Sequence, residues 1–374
     1  MDIPREDAVF RLAQIRQRMV GTGLDALLIY SWKRGQVRYV SGYAPNYVAN
    51  TAMVLVPRQG DPTLFIRFPF DLERARAMSP FEDVRASGDV AAMGRDAAAR
   101  LRELRLDRVS IGIVSSDGII DELPHTLYKQ LRDELPAAVF SDARELIMDL
   151  RLIKSPAESA LLEGSAGVAD TAVAVAGEAL APGVSEFAVV AAAEAAARAA
   201  GAEGFLVAIA SQAARELVGP PEDKVVELGD IVILEAAVQV RGYWAQVARV
   251  FAIGEPTAGQ QAIYKAVHRA YQSAIDAACP GKALGEVARS AHTTLDAAGY
   301  GDFVQHDLGH GIGLDLPEPP RIEPGIEAPV EAGMALVIHP AVRVPDVGGA
   351  FVGGTVLVTL RGAVPVHRIP ESLP

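Results

Sequence analysis

The stretch HDLGHGIGLDLPEPP, residues 306–320, sets His306 and His310 four residues apart on a backbone crowded with glycine and closed by prolines. Imidazoles titrate near neutral pH and ligate metals, so such a pair suits acid–base chemistry or a metal site. The plain alternative is a glycine-rich turn carrying surface histidines. A second segment, GDIVILEAAVQVRGYWAQVARVF, carries polar groups inside apolar strands. Arg241-Gly242 reads as a two-residue hairpin turn, which pairs Val240 with Tyr243, Ala237 with Gln246 and Glu235 with Ala248. Glu235 and Gln246 then share one face as diagonal neighbours, roughly 7–8 Å apart at Cα. Glu235 follows the run IVIL, and a buried carboxylate without a partner costs several kcal/mol. Unless that face is solvated, it needs a cation, a metal or a hydrogen-bond donor. His339 closes the run MALVI just before Pro340, where a satisfied core histidine is the bland reading. Gly353-Gly354 interrupts FVGGTVLVTL, and glycines inside a strand mark a close approach or a missing side chain.

The bulk of the chain limits what this chemistry can serve. Its 374 residues suggest two domains or one large one, and with half of them apolar and 22% charged there is ample core material. The net charge of −12 argues against nucleic acid and anionic membrane as partners, since phosphate binding needs clustered Lys and Arg. Cys279 is the only cysteine, so no internal disulfide can form, and a cytoplasmic location is expected. The N-terminus MDIPREDAVF lacks the basic end and apolar run of a signal peptide. AVVAAAEAAARAAG comes nearest to a membrane span, but Glu194 and Arg198 interrupt it.

The elements that must position these residues fall into two sets. In the first, residues 5–20 read as a helix, and DALLIY, VRYVSGY, TAMVLVP, PTLFIR and VSIGIV read as strands. Helical patterns near 90–104 and 121–135 complete an α/β domain over 1–153. A boundary falls at 150–156, where Ser155, Pro156 and Glu158 combine a cap, a first-turn proline and a capping box. The basic RLIK beside it suggests an exposed, protease-sensitive point near Lys154. The second set, 154–374, has helices near 156–180, 185–200, 257–278 and 284–298. Its strands are FLVAIA, IVILEAAVQV, GYWAQVARVFAI, MALVIHPAVRV and FVGGTVLVTL, which suggests α+β with helices on one face of a curved antiparallel sheet.

Taken in order, GLDALLIY with VRYVSGY, then RLIKSPAE, GDIVILEAA with GYWAQVARVF, HDLGHGIGLDLPEPP, MALVIHPAV and VGGTVLVT resemble the creatinase / aminopeptidase P / prolidase superfamily along nearly the whole chain. The resemblance implies a creatinase-like N-terminal domain and a C-terminal pita-bread domain that normally holds two metal ions. Aligned residue by residue, Glu235 and Gln246 stand at the two aspartate positions. His310 keeps the histidine ligand, while His339 and Gly353 replace the two glutamates. The histidine expected shortly before the hairpin falls near Val218, and the one after the glycine-rich motif is Pro317; His306 remains. Two divalent cations about 3.5–4 Å apart need bridging anions to offset their repulsion. Neutral Gln246 and side-chain-free Gly353 supply none, so no dinuclear site is expected.

Three readings stay open. One is a metal-independent enzyme that cleaves a C–N bond of a small amino-acid-like or guanidino substrate. Its catalytic candidates are His310, His339, Glu235 and His306, with no cofactor. The two imidazoles would share the work of acid and base. The second is a single Zn or Fe ion held by His310, His339 and an oxygen from Glu235 or Gln246. The third is an inactive scaffold. Gln246 and Glu318 are further candidates for substrate contacts. The resemblance also implies a homodimer in which Trp32, Arg34 and Arg38, in YSWKRGQVRYV, border the partner's site; a solvated basic loop is the alternative.

Overall fold

The computed structural model describes residues 5–32, 35–45, 51–114, 123–211, 217–305 and 307–370. His306 and Arg34 lie outside the described residues, as does the side chain of Trp32. The chain divides into two compact units, Met1–Arg151 and Leu152–Pro374.

In the first unit the elements run α1 (Arg5–Thr22), β1 (Ala26–Trp32), α2 (Gly35–Ser41), β2 (Thr51–Pro57), β3 (Thr63–Ile66), α3 (Leu72–Met78), β4 (Asp83–Ala86), α4 (Val90–Glu103), β5 (Ser110–Val114), α5 (His125–Glu134), β6 (Val139–Asp142) and α6 (Arg144–Leu152). The strands form one six-stranded sheet in the order β4-β3-β2-β1-β5-β6. Its antiparallel centre is flanked by parallel pairs. The expected strand VRYVSGY is instead the helix α2. Val37, Tyr39 and Val40 are buried in it, and tertiary packing overrides the β preference of those side chains. Gly42 ends the helix at φ +71, its N–H donating to Arg38 O at 2.8 Å. Arg38 is half-buried on this helix.

The second unit runs α7 (Pro156–Ala179), α8 (Glu186–Ala199), β7 (Gly204–Ala210), β8 (Ile231–Val240), β9 (Tyr243–Ala252), α9 (Ala258–Ala277), α10 (Leu284–Ala297), β10 (Gly309–Gly311), β11 (Glu318–Ile322), β12 (Ala335–Ile338), β13 (Ala341–Val344), β14 (Gly348–Phe351), β15 (Gly353–Thr359) and β16 (Gly362–Pro365). An eight-stranded sheet follows the order β11-β10-β12-β15-β9-β8-β7, with β16 on β15, and β13 pairs β14 in a small second sheet. Neighbouring strands of the large sheet run antiparallel.

Apolar packing covers both faces of the β8–β9 hairpin, not one. Val232, Leu234, Ala236 and Val238 pack with α7 and α8. The alternate residues Ile231 and Ile233, with Ala248 and Val250, join the cluster of α9, α10, β12, β14 and β15. A continuous apolar run such as IVIL is what two buried faces require.

At the start of α7, Ser155 and Glu158 make the capping box in both directions, and Tyr243 Oη donates to Glu158 Oε1 at 2.9 Å. Lys154 at the boundary is not exposed, although Ile153 beside it is. Lys154 is buried, its N–H donates to Gly333 O at 2.8 Å, and its Nζ lies 2.7 Å from Glu318 Oε1. At the other end of the unit, Asp170 of α7 holds the segment after β16. It takes His367 Nδ1 at 2.7 Å and the N–H groups of Arg368 and Ile369. Arg249 completes this clasp by donating to the carbonyls of Ile369, Pro370 and Gly353.

Candidate functional site

The hairpin that carries Glu235 and Gln246 turns at Arg241 (φ 50) and Gly242 (φ 90). Two left-handed residues in succession are the backbone of the tight hairpin turn. The register is Glu235↔Ala248, Ala237↔Gln246 and Val240↔Tyr243, as the two-residue turn demands. The diagonal pair meets directly, Gln246 Nε2 donating to Glu235 Oε1. Thr355 fixes the backbone of Gln246 from the next strand, accepting from its N–H at 2.9 Å and donating to its carbonyl at 3.2 Å.

His310 is the middle residue of β10, which is threaded between β11 and β12. The glycines beside it make that threading possible. A Cβ at 309 would lie 1.9 Å from Val337 O, and one at 311 would lie 2.2 Å from Pro319 O. His310 Nδ1 sits 2.8 Å from Gly311 O. A carbonyl only accepts, so Nδ1 carries the hydrogen, and in the neutral ring the lone pair is on Nε2.

His339 sits where the chain leaves the large sheet. The expected single strand MALVIHPAVRV breaks there, because Pro340 has no N–H for the ladder. β12 stays in the large sheet and β13 enters the small one. FVGGTVLVTL breaks likewise at Val352, between β14 and β15. His339 is 1% exposed. Its ring meets that of His310 edge-on at 5.4 Å between centroids and packs on Phe351 at 5.1 Å.

Between the two polar pairs the sheet offers only small side chains. Glu235 pairs with Ala248 and Ala248 with Gly353, so these positions share a face across three strands. A Cβ at 353 would stand 2.1 Å from Ile338 O, 2.5 Å from His339 Cα and 2.7 Å from His339 Cβ. The backbone around His339 has taken the place of any side chain at 353.

This arrangement does not fit the metal pair that the resemblance implies. A bridged pair needs two carboxylates between the ions. At 246 there is a neutral amide whose nitrogen faces Glu235, and at 353 there is neither a donor atom nor room for one.

Two further positions are engaged in other contacts. Glu318, expected at the substrate, is 2% exposed and engaged with Lys154, a buried ion pair that ties β11 to the start of α7. Gly313 leaves space for it, since a Cβ there would meet Glu318 Oε1 at 2.1 Å. Val218, near where the resemblance implies a histidine, packs on the apolar cluster of α9 and α10. Phe351, Thr355 and Lys154 support the site, and the sequence alone gives no reason to assign them to it. Only Thr355 leaves a trace there, a hydroxyl inside VGGTVLVT.

Comparison with known proteins follows the same lines. A family model described as metallopeptidase family M24 matches residues 160–360, and one described as the creatinase/prolidase N-terminal domain matches 11–153. An Xaa-Pro dipeptidase of Pyrococcus horikoshii is 28% identical over 377 residues, covering 100% of both chains. One from Pyrococcus furiosus is 33% identical over 259 residues, 68% of this chain and 74% of the relative. The crystal structure of the prolidase from Pyrococcus horikoshii superposes with a TM-score of 0.86 at 28% identity, over 98% of this chain and 100% of that one.

Proposed function

The chain belongs to metallopeptidase family M24, and from that premise we propose that it is an enzyme working without the family's metal pair. Its units are a creatinase/prolidase-type N-terminal domain and a pita-bread domain. The relatives are named Xaa-Pro dipeptidases, and hydrolysis at a C–N bond is the chemistry closest to theirs. The proposed substrate is a small amino-acid-like or guanidino compound, and Cys279 as sole cysteine suits a cytoplasmic setting. The observation that carries this reading is the packing of the His339 backbone over Gly353, which leaves no space for a bridging carboxylate.

In the proposed reaction His310 Nε2 takes a proton from water as the water oxygen bonds to the carbon of the C–N bond. Protonated His339 gives a proton to the departing nitrogen as that bond breaks. The proton then passes from His310 to His339, whose ring adjoins it, and the centre is reset. General acid–base catalysis of this kind is worth about 10²–10⁴-fold.

The same Nε2 lone pair would also serve one Zn or Fe ion, so metal analysis is the deciding experiment. Protein purified without chelator should carry far less than stoichiometric metal. It should not cleave Xaa-Pro peptides when Mn²⁺, Co²⁺ or Zn²⁺ is supplied. Stoichiometric metal that is lost from His310→Ala would overturn the metal-independent reading. So would Xaa-Pro turnover within about a hundredfold of a typical enzyme, whose kcat is on the order of 10 per second.

A further inference from the structure

The candidate centre straddles a narrow seam in the large sheet. Glu235 and Gln246 lie on β8 and β9, whereas His310 lies on β10 and His339 follows β12. In the strand order these two sets are joined where β15 lies against β9. That ladder pairs Gly353 with Ala248 and Gly354 with Val247, whereas the β8–β9 ladder runs from Ile231↔Ala252 to Val240↔Tyr243. At the rung after Gly354, Thr355 Oγ1 meets the backbone of Gln246, and the Thr355 carbonyl accepts from Val366 N–H at 3.2 Å. From there β16 takes over that edge of β15. A backbone hydrogen bond nets only about 0.5–1.5 kcal/mol, so so short a ladder is a slender hold between the two polar pairs.

Arg249 reinforces the seam from behind. It follows Ala248 on β9, so its side chain leaves the face opposite to Ala248 and the centre. It is 3% exposed. Nη1 donates to Ala248 O at 2.9 Å and to Gly353 O at 2.8 Å, one carbonyl on each side of the seam. Nε donates to Pro370 O at 3.0 Å and Nη2 to Ile369 O at 3.1 Å, so the C-terminal segment backs the guanidinium. The planar fork holds these carbonyls in one fixed arrangement. What is fixed at Gly353 reaches His339, whose main chain rests on that glycine: its Cα would lie 2.5 Å from a Cβ at 353. We propose that Arg249 is a positioning residue for the centre. Through Gly353 and Ala248 it sets where the two imidazoles stand relative to Glu235 and Gln246, without itself touching substrate. The proposal rests on the reading of these four residues as the working centre.

The test uses the full chain, isotope-labelled at the histidine rings, in buffer containing EDTA, with ring signals followed by NMR. His310→Ala and His339→Ala assign the two signals of the centre. Arg249→Met keeps the length and removes every donor. In it the signals of His310 and His339 should each move by more than a linewidth. His367, next to the released segment, should move as well and shows that the fork has let go. His292, on α10, should stay in place. Movement of His367 with both centre signals unmoved would overturn the proposal and leave Arg249 a buried strut. Movement of His292 along with the rest would overturn it too, since the loosening would then be general. Arg249→Lys keeps the charge on a single nitrogen that cannot span the same carbonyls. It should show the same pattern to a lesser degree, and it decides the matter if the Met variant fails to fold. No step of the test needs turnover, so metal content and activity of the unaltered protein decide the metal-independent reading separately.

Discussion

Glycine plays opposite parts at two positions, and the difference is measurable. At Gly353 a methyl group would collide with backbone atoms of Ile338 and His339, which cannot rotate aside. Gly353→Ala should destabilise the protein by about 1–3 kcal/mol, the usual cost of overpacking. Gly164 lies on the exposed side of α7, where a methyl group would meet nothing within 4 Å among the described residues. There Gly→Ala should stabilise by about 0.5–1 kcal/mol, because alanine loses less backbone freedom on entering a helix. Urea unfolding of the two variants side by side checks both signs. A neutral result at 353 would mean that the strand carrying His339 yields easily. At the same scale, His310→Ala and His339→Ala should each lower turnover of any C–N substrate found by screening by about 10²-fold or more, with no response to EDTA.

Among the elements, two tethers should be separable. Lys154→Met breaks the buried ion pair with Glu318, which should cost about 3–5 kcal/mol. The clasp at Asp170 should instead show itself through pH. Burial alone would raise this carboxyl, but the bonds from His367, Arg368 and Ile369 outweigh it and hold it below the usual carboxylate range. A carboxyl lowered on folding stabilises above its unfolded pKa of about 3.9, and that contribution is lost as pH falls through the lower folded value. Asp170→Asn should therefore flatten the acid limb of the stability curve and lower stability near neutrality. These tethers also show what could be read from the chain. The capping box at Ser155, the turn at Arg241-Gly242 and the register of Glu235 were legible because each is local chemistry. The helix over VRYVSGY was not, since its side chains favour a strand and only burial decides. The break at His339 was half-legible. Pro340 announced the end of a strand, but which sheet came next depended on partners far away in the chain. The ion pair of Glu318 was not legible, because Lys154 lies 164 residues from it.

Across the whole molecule the expectations concern assembly and access. Two chains per particle should be seen by light scattering at micromolar concentration, as the resemblance implies. The net charge of −12 should leave the protein without measurable affinity for duplex DNA at physiological salt. No helix among the described residues is long and apolar enough to cross a membrane. The junction between the two units should resist trypsin under native conditions, since Lys154 is buried and bonded at both its N–H and its Nζ. Rapid cleavage after Lys154 in the folded protein would show that the start of α7 opens far more readily than its bonds suggest.

The contact over Gly353 also bears on history. A glutamate restored at 353 by a single substitution would strike the main chain of Ile338 and His339 before its carboxylate reached the centre. Reversal would have to begin with a shift of the strand end that carries His339, and that shift alone gains nothing while 353 is still glycine. Each step toward the ligand set that the resemblance implies is thus unfavourable until the other has been made. On the proposed reading the loss of the metal pair behaves as a ratchet, and selection acting on this scaffold can refine the chemistry of the two imidazoles more readily than it can return to the old one.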